Sequence, residues 1–239
     1  MALFDRLTEF HGPVFRNITS LRVSEDLFDD LVDDAGARSA AVAAEMRMRI
    51  PESGVIARGL AYSQAVEYPF VSDSSVSSRY GDGRLRVWYG GLEEATALAE
   101  TCWHQVMQLR AIEGVQEVVT RYRKVYAVQA EGLFLELRGK EQEHPELLAN
   151  DYAATQAIGR HAAGQGLPGL LYPAARWPSG SCLAVFRADP LSDPRLLYHL
   201  TYRIDPVAGT VAIERSPGRQ EQSLHISQLH RSSALEGRA

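Results

Sequence analysis

The stretch RYGDGRLRVWYGGLEEATALAE, residues 79–100, passes from a glycine-rich turn through a short apolar strand into a helix. Gly81-Asp82-Gly83 forms the turn and Leu85 to Tyr89 the strand. Gly90-Gly91 then opens a helix that runs from Leu92 to Glu113 and closes at Gly114. Leu92, Ala95, Thr96, Ala99, Trp103 and Val106 recur on one helical face. A strand that reverses so tightly into a helix brings Arg79, Tyr89 and Glu100 towards one cleft. Glu100 falls about 80° from Leu92 on the helical wheel, at the edge of the apolar face, where a carboxylate can be partly buried and still reach a ligand.

Outward from this stretch, strands are predicted over Val118 to Val128 and Leu133 to Leu137, followed by one or two helices between Pro145 and Gln165. Leu167 to Tyr172 and Cys182 to Phe186 are apolar runs bounded by Gly, Pro and Ser, as buried strands are. Leu197 to Asp205 and Thr210 to Glu214, joined by PVAG, predict a hairpin, and the polar tail from Ser216 onward is expected to be loosely held. Towards the N-terminus, Val55 to Tyr62 reads as a strand. Ser24 to about Ile50 reads as a helix split at Gly36 and stopped at Pro51, with Asp29, Asp30, Asp33 and Asp34 on a solvated face. The strands and helices alternate too irregularly for a doubly wound parallel sheet, so the expected class is α+β: a single domain with one mixed or antiparallel sheet and a helical N-terminal elaboration.

Composition narrows the chemistry. The net charge of −5 gives no footprint for nucleic acid, which needs clustered Lys and Arg. Two cysteines, Cys102 and Cys182, form neither a disulfide framework nor a metal motif, and a reducing cytoplasm is the expected location. No apolar run has the length of a signal core or of a membrane span. The sequence lacks GxSxG, HExxH and GxxxxGK[ST]. Cys102 and His104 lie about 200° apart on their helix, so they do not face each other, and Cys102 reads as packing. The seven histidines lack ligand spacing and read as ordinary polar residues; no metal is expected.

The chain resembles the RES family. Its members carry an aromatic-Arg pair, a Gly-Arg-aromatic turn, a Tyr on a strand, an Ala-rich approach to a helical Glu, and a Gly-apolar-Pro-Ser segment leading to a strand. Here these read as Phe15-Arg16; SSRYGDG with Arg79 and Tyr80; VWYGG with Tyr89; EEATALAE ending at Glu100; and GLLYPAAR, Gly169 to Arg176, followed by CLAVF. TQAIG, with Gln156, is a further match, and together the matches reach from residue 15 to about 188. Two features depart from the pattern. Ala174 stands where the family's Ser is usual, and the interval from Arg16 to Arg79 is long. The resemblance implies a RES-like domain over 1–215, with 22–60 as a helical insertion and 216–239 as a polar tail.

The resemblance also implies a fold like that of ADP-ribosyltransferase toxins and an enzyme that breaks the nicotinamide–ribose bond of NAD. Such a reaction develops oxocarbenium charge on the ribose, so it needs a carboxylate near that sugar, cations for the pyrophosphate and an apolar shelf for the base. Glu100 is the implied carboxylate, Arg79 and Arg16 the phosphate clamps, Tyr89 and Tyr80 the groups at the nicotinamide riboside, and Gln156 a weaker ribose contact. The acceptor stays open: water makes an NAD glycohydrolase, phosphate an NAD phosphorylase, and a protein side chain an ADP-ribosyltransferase. Members of this kind are toxins neutralised by an Xre-type helix-turn-helix antitoxin, the implied partner. A non-catalytic binding module, for which Ala174 speaks, is the competing class.

Overall fold

In the computed structural model, residues 3–20, 59–71, 77–216 and 218–229 are described, so the acidic helices expected over Ser24 to Ile50 lie outside the described residues. β1 (Leu7–Thr19) is followed by a short helical segment, α1, built from turns Gly59–Tyr62 and Tyr68–Val71 on either side of a π-helical stretch, Ser63–Glu67. Next come β2 (Trp88–Gly91), α2 (Glu94–Arg110), β3 (Val119–Glu136) and α3 (Ala153–Gly164). β4 (Gly169–Pro173), β5 (Ser181–Val185), β6 (Leu191–Asp205), β7 (Thr210–Ser216) and β8 (Arg219–His225) complete the order.

The eight strands form one mixed sheet in the order β1-β2-β5-β4-β3-β6-β7-β8, and β1 also pairs with β3. That second pairing closes β1, β2, β5, β4 and β3 into a ring, from which β6, β7 and β8 continue as a meander. Among the described strands only β3 and β4 run parallel, through Leu135↔Leu170 and Glu136↔Leu171. A mixed sheet with segregated helices is the α+β class that the irregular order of elements predicted.

Several local expectations change. β3 is one strand where two were expected, because Ala130, Glu131 and Gly132 stay in register with Gly12, His11 and Phe10 of β1. Residues 59–62, expected to be extended, are helical: Tyr62, Ala65 and Val66 recur at helical spacing and are buried together, and the Trp88 indole donates to Ala65 O at 2.7 Å. The start of the tail is also held, since β8 pairs with β7 and buries Leu224, with Leu229 just beyond.

The core has three parts. α2 lays Leu98, Cys102 and Val106 on Val125, Tyr202 and Ile213. α1 covers Val14, Trp88 and Val128 on one face of the ring. α3 brings Ile158 and Ala162 against Tyr80, Leu170 and Tyr172 on the other. Gly159 permits this last approach, since a Cβ there would lie 2.1 Å from Tyr80 O. Among the described residues no helix is long and apolar enough to cross a membrane.

Candidate functional site

β2 and α2 place the central groups. Leaving β2, the chain turns at Glu93, whose carboxylate accepts from Thr96 Oγ1 at 2.7 Å and from Ser181 N at 3.3 Å, tying the start of α2 to β5. Two turns on, Glu100 points away from the Leu98–Cys102 packing towards the segment that follows β4. Its Oε1 accepts from Arg176 N at 3.0 Å, and Ala175 N–H also holds the carboxylate. Burial pushes the Glu100 pKa up, opposed by Arg79, by the Arg176 backbone bond and by the Arg176 charge.

Arg79 is 7% exposed. Its Nη1 donates to Leu147 O at 3.0 Å and Ala149 O at 2.9 Å, and its guanidinium lies 4.9 Å from the Tyr152 ring centre. Nη2 is buried without a hydrogen-bond partner. The carbonyls of the 147–149 turn therefore aim the side chain and leave one face of the fork unused. A buried donor left without a partner is uncommon and costly, and an anionic ligand would satisfy it.

Tyr89, expected to meet the substrate, spends its hydroxyl on the turn that carries Arg79. It accepts from Tyr80 N at 2.9 Å and shares a 2.9 Å bond with Ser78 Oγ. Burial drives its pKa up to about 12, so it stays protonated. Gln156 does similar work from α3, donating from Nε2 to Ser77 Oγ at 2.7 Å and Ser78 O at 3.0 Å. Both side chains brace residues 77–81. Tyr80 is wholly buried, edge-on to Tyr172 with ring centres 4.8 Å apart, and its hydroxyl is buried without a partner. It is a core residue of the α3 face, where the alternation of the turn directs it inward.

Arg16 does not join Arg79 and Glu100. Its guanidinium sits 5.0 Å from the Trp88 ring centre, and Nη1 donates to Tyr89 O at 2.9 Å. Val14, two residues earlier, and Trp88 belong to the α1 face of the ring, whereas the Tyr89 ring packs on the α3 face. Strand alternation therefore sends the Arg16 side chain to the far side of β2. Burial, then the nearby Arg123, lowers its pKa to about 9.

Several groups around Glu100 escaped the sequence reading. Arg176, 2% exposed, stacks on Trp103 with its guanidinium carbon 3.4 Å from the ring centre and bonds Asn150 Oδ1. It ended the GLLYPAAR segment without a role, and Trp103 read as one more apolar residue of α2. His104, one helical turn beyond Glu100, has Nε2 4.0 Å from Glu100 Oε2 and packs edge-on to Trp103. Partial desolvation, then the charges of Arg176 and Arg79, lowers its pKa, so the imidazole is neutral at pH 7 although the side chain is 47% exposed. Ala174 is buried at the end of β4, its N–H donating to Gly180 O at 3.0 Å; Ser179 is exposed and Ser181 half-buried.

The arrangement sets one half-buried carboxylate beside two buried guanidiniums and a neutral imidazole. It can bind an anion at the unused edge of Arg79 and stabilise positive charge at Glu100. Among the described residues, no group of three His, Cys, Asp or Glu side chains could hold a metal ion.

Comparison with known proteins adds the following. The family described as RES domain matches residues 56–205. A search of curated proteins gives no match. A solved chain from the M. tuberculosis MbcT-MbcA toxin-antitoxin complex aligns with TM-score 0.45 at 14% identity, covering 84% of this chain and 88% of that chain.

Proposed function

This chain belongs to the RES domain family, and on that premise we propose that it cleaves the nicotinamide–ribose bond of NAD. The observation that carries the reading is the Glu100 carboxylate, pinned by the amides of Ala175 and Arg176 within reach of the Arg79 charge. In this reading Glu100 holds a ribose hydroxyl and stabilises the oxocarbenium ion formed as neutral nicotinamide leaves. Arg79 takes a phosphate oxygen through Nη2, while Tyr89 and Gln156 hold its turn in place. Catalysis by charge placement requires rigid groups, and every polar atom fixed by a main-chain partner serves that requirement. NAD depletion makes the protein a cytoplasmic toxin, and an Xre-type antitoxin is its proposed partner, covering the cleft; this part rests on the resemblance.

The test is direct. Purified protein is incubated with NAD in phosphate-free buffer, with phosphate, and with cell extract, and released nicotinamide is measured. Release in buffer alone identifies a glycohydrolase, release that requires phosphate a phosphorylase, and release only with extract, accompanied by labelled protein, an ADP-ribosyltransferase. No release under any condition would leave a binding module.

A further inference from the structure

We propose that His104 is the base that takes the proton from the attacking acceptor, working as a pair with Glu100. This deepens the NAD-cleaving reading and rests on it. The two residues divide their labour by geometry. Glu100 Oε1 is held by Arg176 N, while Oε2 faces His104 Nε2 across 4.0 Å. That gap is too wide for a direct hydrogen bond and suits one acceptor oxygen between them: a water about 2.8 Å from each atom would subtend an angle of about 90°, close to its tetrahedral preference. The helix fixes the pair, since residues four apart stack on one face.

Access runs the same way. The Glu100 side chain is 18% exposed and that of His104 47%, so the imidazole stands on the solvent side of the carboxylate, where an acceptor arrives. The charged groups facing the imidazole are Glu100 on α2, Arg176 after β4 and Arg79 before β2. Desolvation first, and then the two guanidiniums, hold the imidazole in its neutral form, with the Nε2 lone pair free to receive a proton. Trp103, edge-on at 5.1 Å, restricts the ring on the side towards Arg176.

The C1′–N1 bond of NAD breaks, its electron pair leaves with nicotinamide, and the pyridinium charge disappears. A lone pair of the water oxygen forms the new bond to C1′. One water proton passes to the His104 imidazole and then to solvent, while the other hydrogen-bonds Glu100 Oε2 until product leaves. The carboxylate serves the cationic carbon and the imidazole serves the nucleophile, so the two contributions separate experimentally.

The experiment compares wild type, His104→Ala and His104→Gln in phosphate-free buffer, with and without added imidazole, reading nicotinamide release. Wild type should turn over. His104→Ala should lose about 10²-fold in kcat with KM little changed, in the range of general-base removal. Added imidazole should restore several-fold of that loss, the restored rate rising with pH as more of the added imidazole is neutral, and His104→Gln should gain nothing because its side chain fills the space. Wild-type rates in His104→Ala, or a loss that no imidazole restores, would overturn the assignment while leaving the NAD reading intact. A wild type that releases no nicotinamide from NAD under any acceptor would remove the reading and the assignment together.

Discussion

Among the described residues two arginines stack on tryptophans, on opposite sides of the same strand system, and their surroundings differ in kind. Arg176 lies on Trp103, with its own backbone N–H on the Glu100 carboxylate and Arg79 nearby. Arg16 lies on Trp88 and gives its hydrogen bond to the Tyr89 carbonyl; among the described residues no carboxylate pairs with it, and its charged neighbour is another cation, Arg123. A guanidinium on an indole is thus insufficient to mark a site. What sets the α2 side apart is the meeting of opposite charges held by main-chain atoms; a buried guanidinium nitrogen without a partner occurs on both sides, at Arg79 Nη2 and at Arg16 Nε. On the Arg16 side the same residue types brace a strand.

The largest expected effect that would sharpen this contrast is at Glu100. Glu100→Gln should lower the rate of NAD cleavage by about 10² or more with little change in KM, because it removes charge stabilisation realised in the transition state. Undiminished cleavage would place the chemistry elsewhere. Arg79→Ala should act chiefly through KM, raising it about tenfold, since a phosphate clamp acts in the ground state too. Arg79→Lys should recover only part of this, lacking the second directed donor. Steady-state kinetics of the pair tests both statements.

Arg16→Met is the variant that could break the comparison. It should leave kcat and KM within about threefold of wild type and lower Tm by several degrees, because the Tyr89 carbonyl loses its partner in a partly buried place. A rise in KM like that of Arg79→Ala would instead make Arg16 a second phosphate clamp acting from the reverse face. The smallest effect concerns stability and pH. Burial raises the Glu100 pKa in the folded chain, so between the ordinary carboxylate value and that raised value the folded state binds more protons than the unfolded one. Stability from this group therefore falls as pH rises through that window. Glu100→Gln should raise Tm slightly at pH 7 and have no such advantage at pH 4, which thermal unfolding at the two pH values measures.

The sequence made the Arg79, Tyr89 and Glu100 grouping legible because it depends on local geometry, a turn, a strand and a helix joined by Gly90-Gly91. It was silent on which side of the sheet Arg16 lies because the aromatic-Arg pair carries no mark of which face its strand presents, and β1 itself was hidden by Gly12-Pro13 at its centre. The register with β3 is what makes residues 7–19 a strand, and that is a long-range fact. β8 escaped for a related reason: Arg219 to Ser223 are all exposed and polar, as an edge strand can be, and only pairing to β7 defines them. Arg176 and Trp103 were visible as residues and silent as partners, since 73 positions separate them in a chain whose fold alone sets the guanidinium on the indole. His104 was read as ordinary because it lacks metal spacing, whereas its company is set by Glu100 one turn back.

The closed ring has a consequence in time. β1 is synthesised first, yet its partner is β3, with Leu7 set against Leu135 and Thr19 against Arg123. On a ribosome adding roughly 5–20 residues per second, the first strand waits on the order of ten seconds for the residues that complete it. Glu100 waits in turn for Arg176, whose amide fixes the carboxylate, and for β5, which anchors the start of its helix. A nascent chain thus carries every residue named for NAD chemistry up to Glu100 while holding none of them in working geometry, and the site comes into being late and all at once.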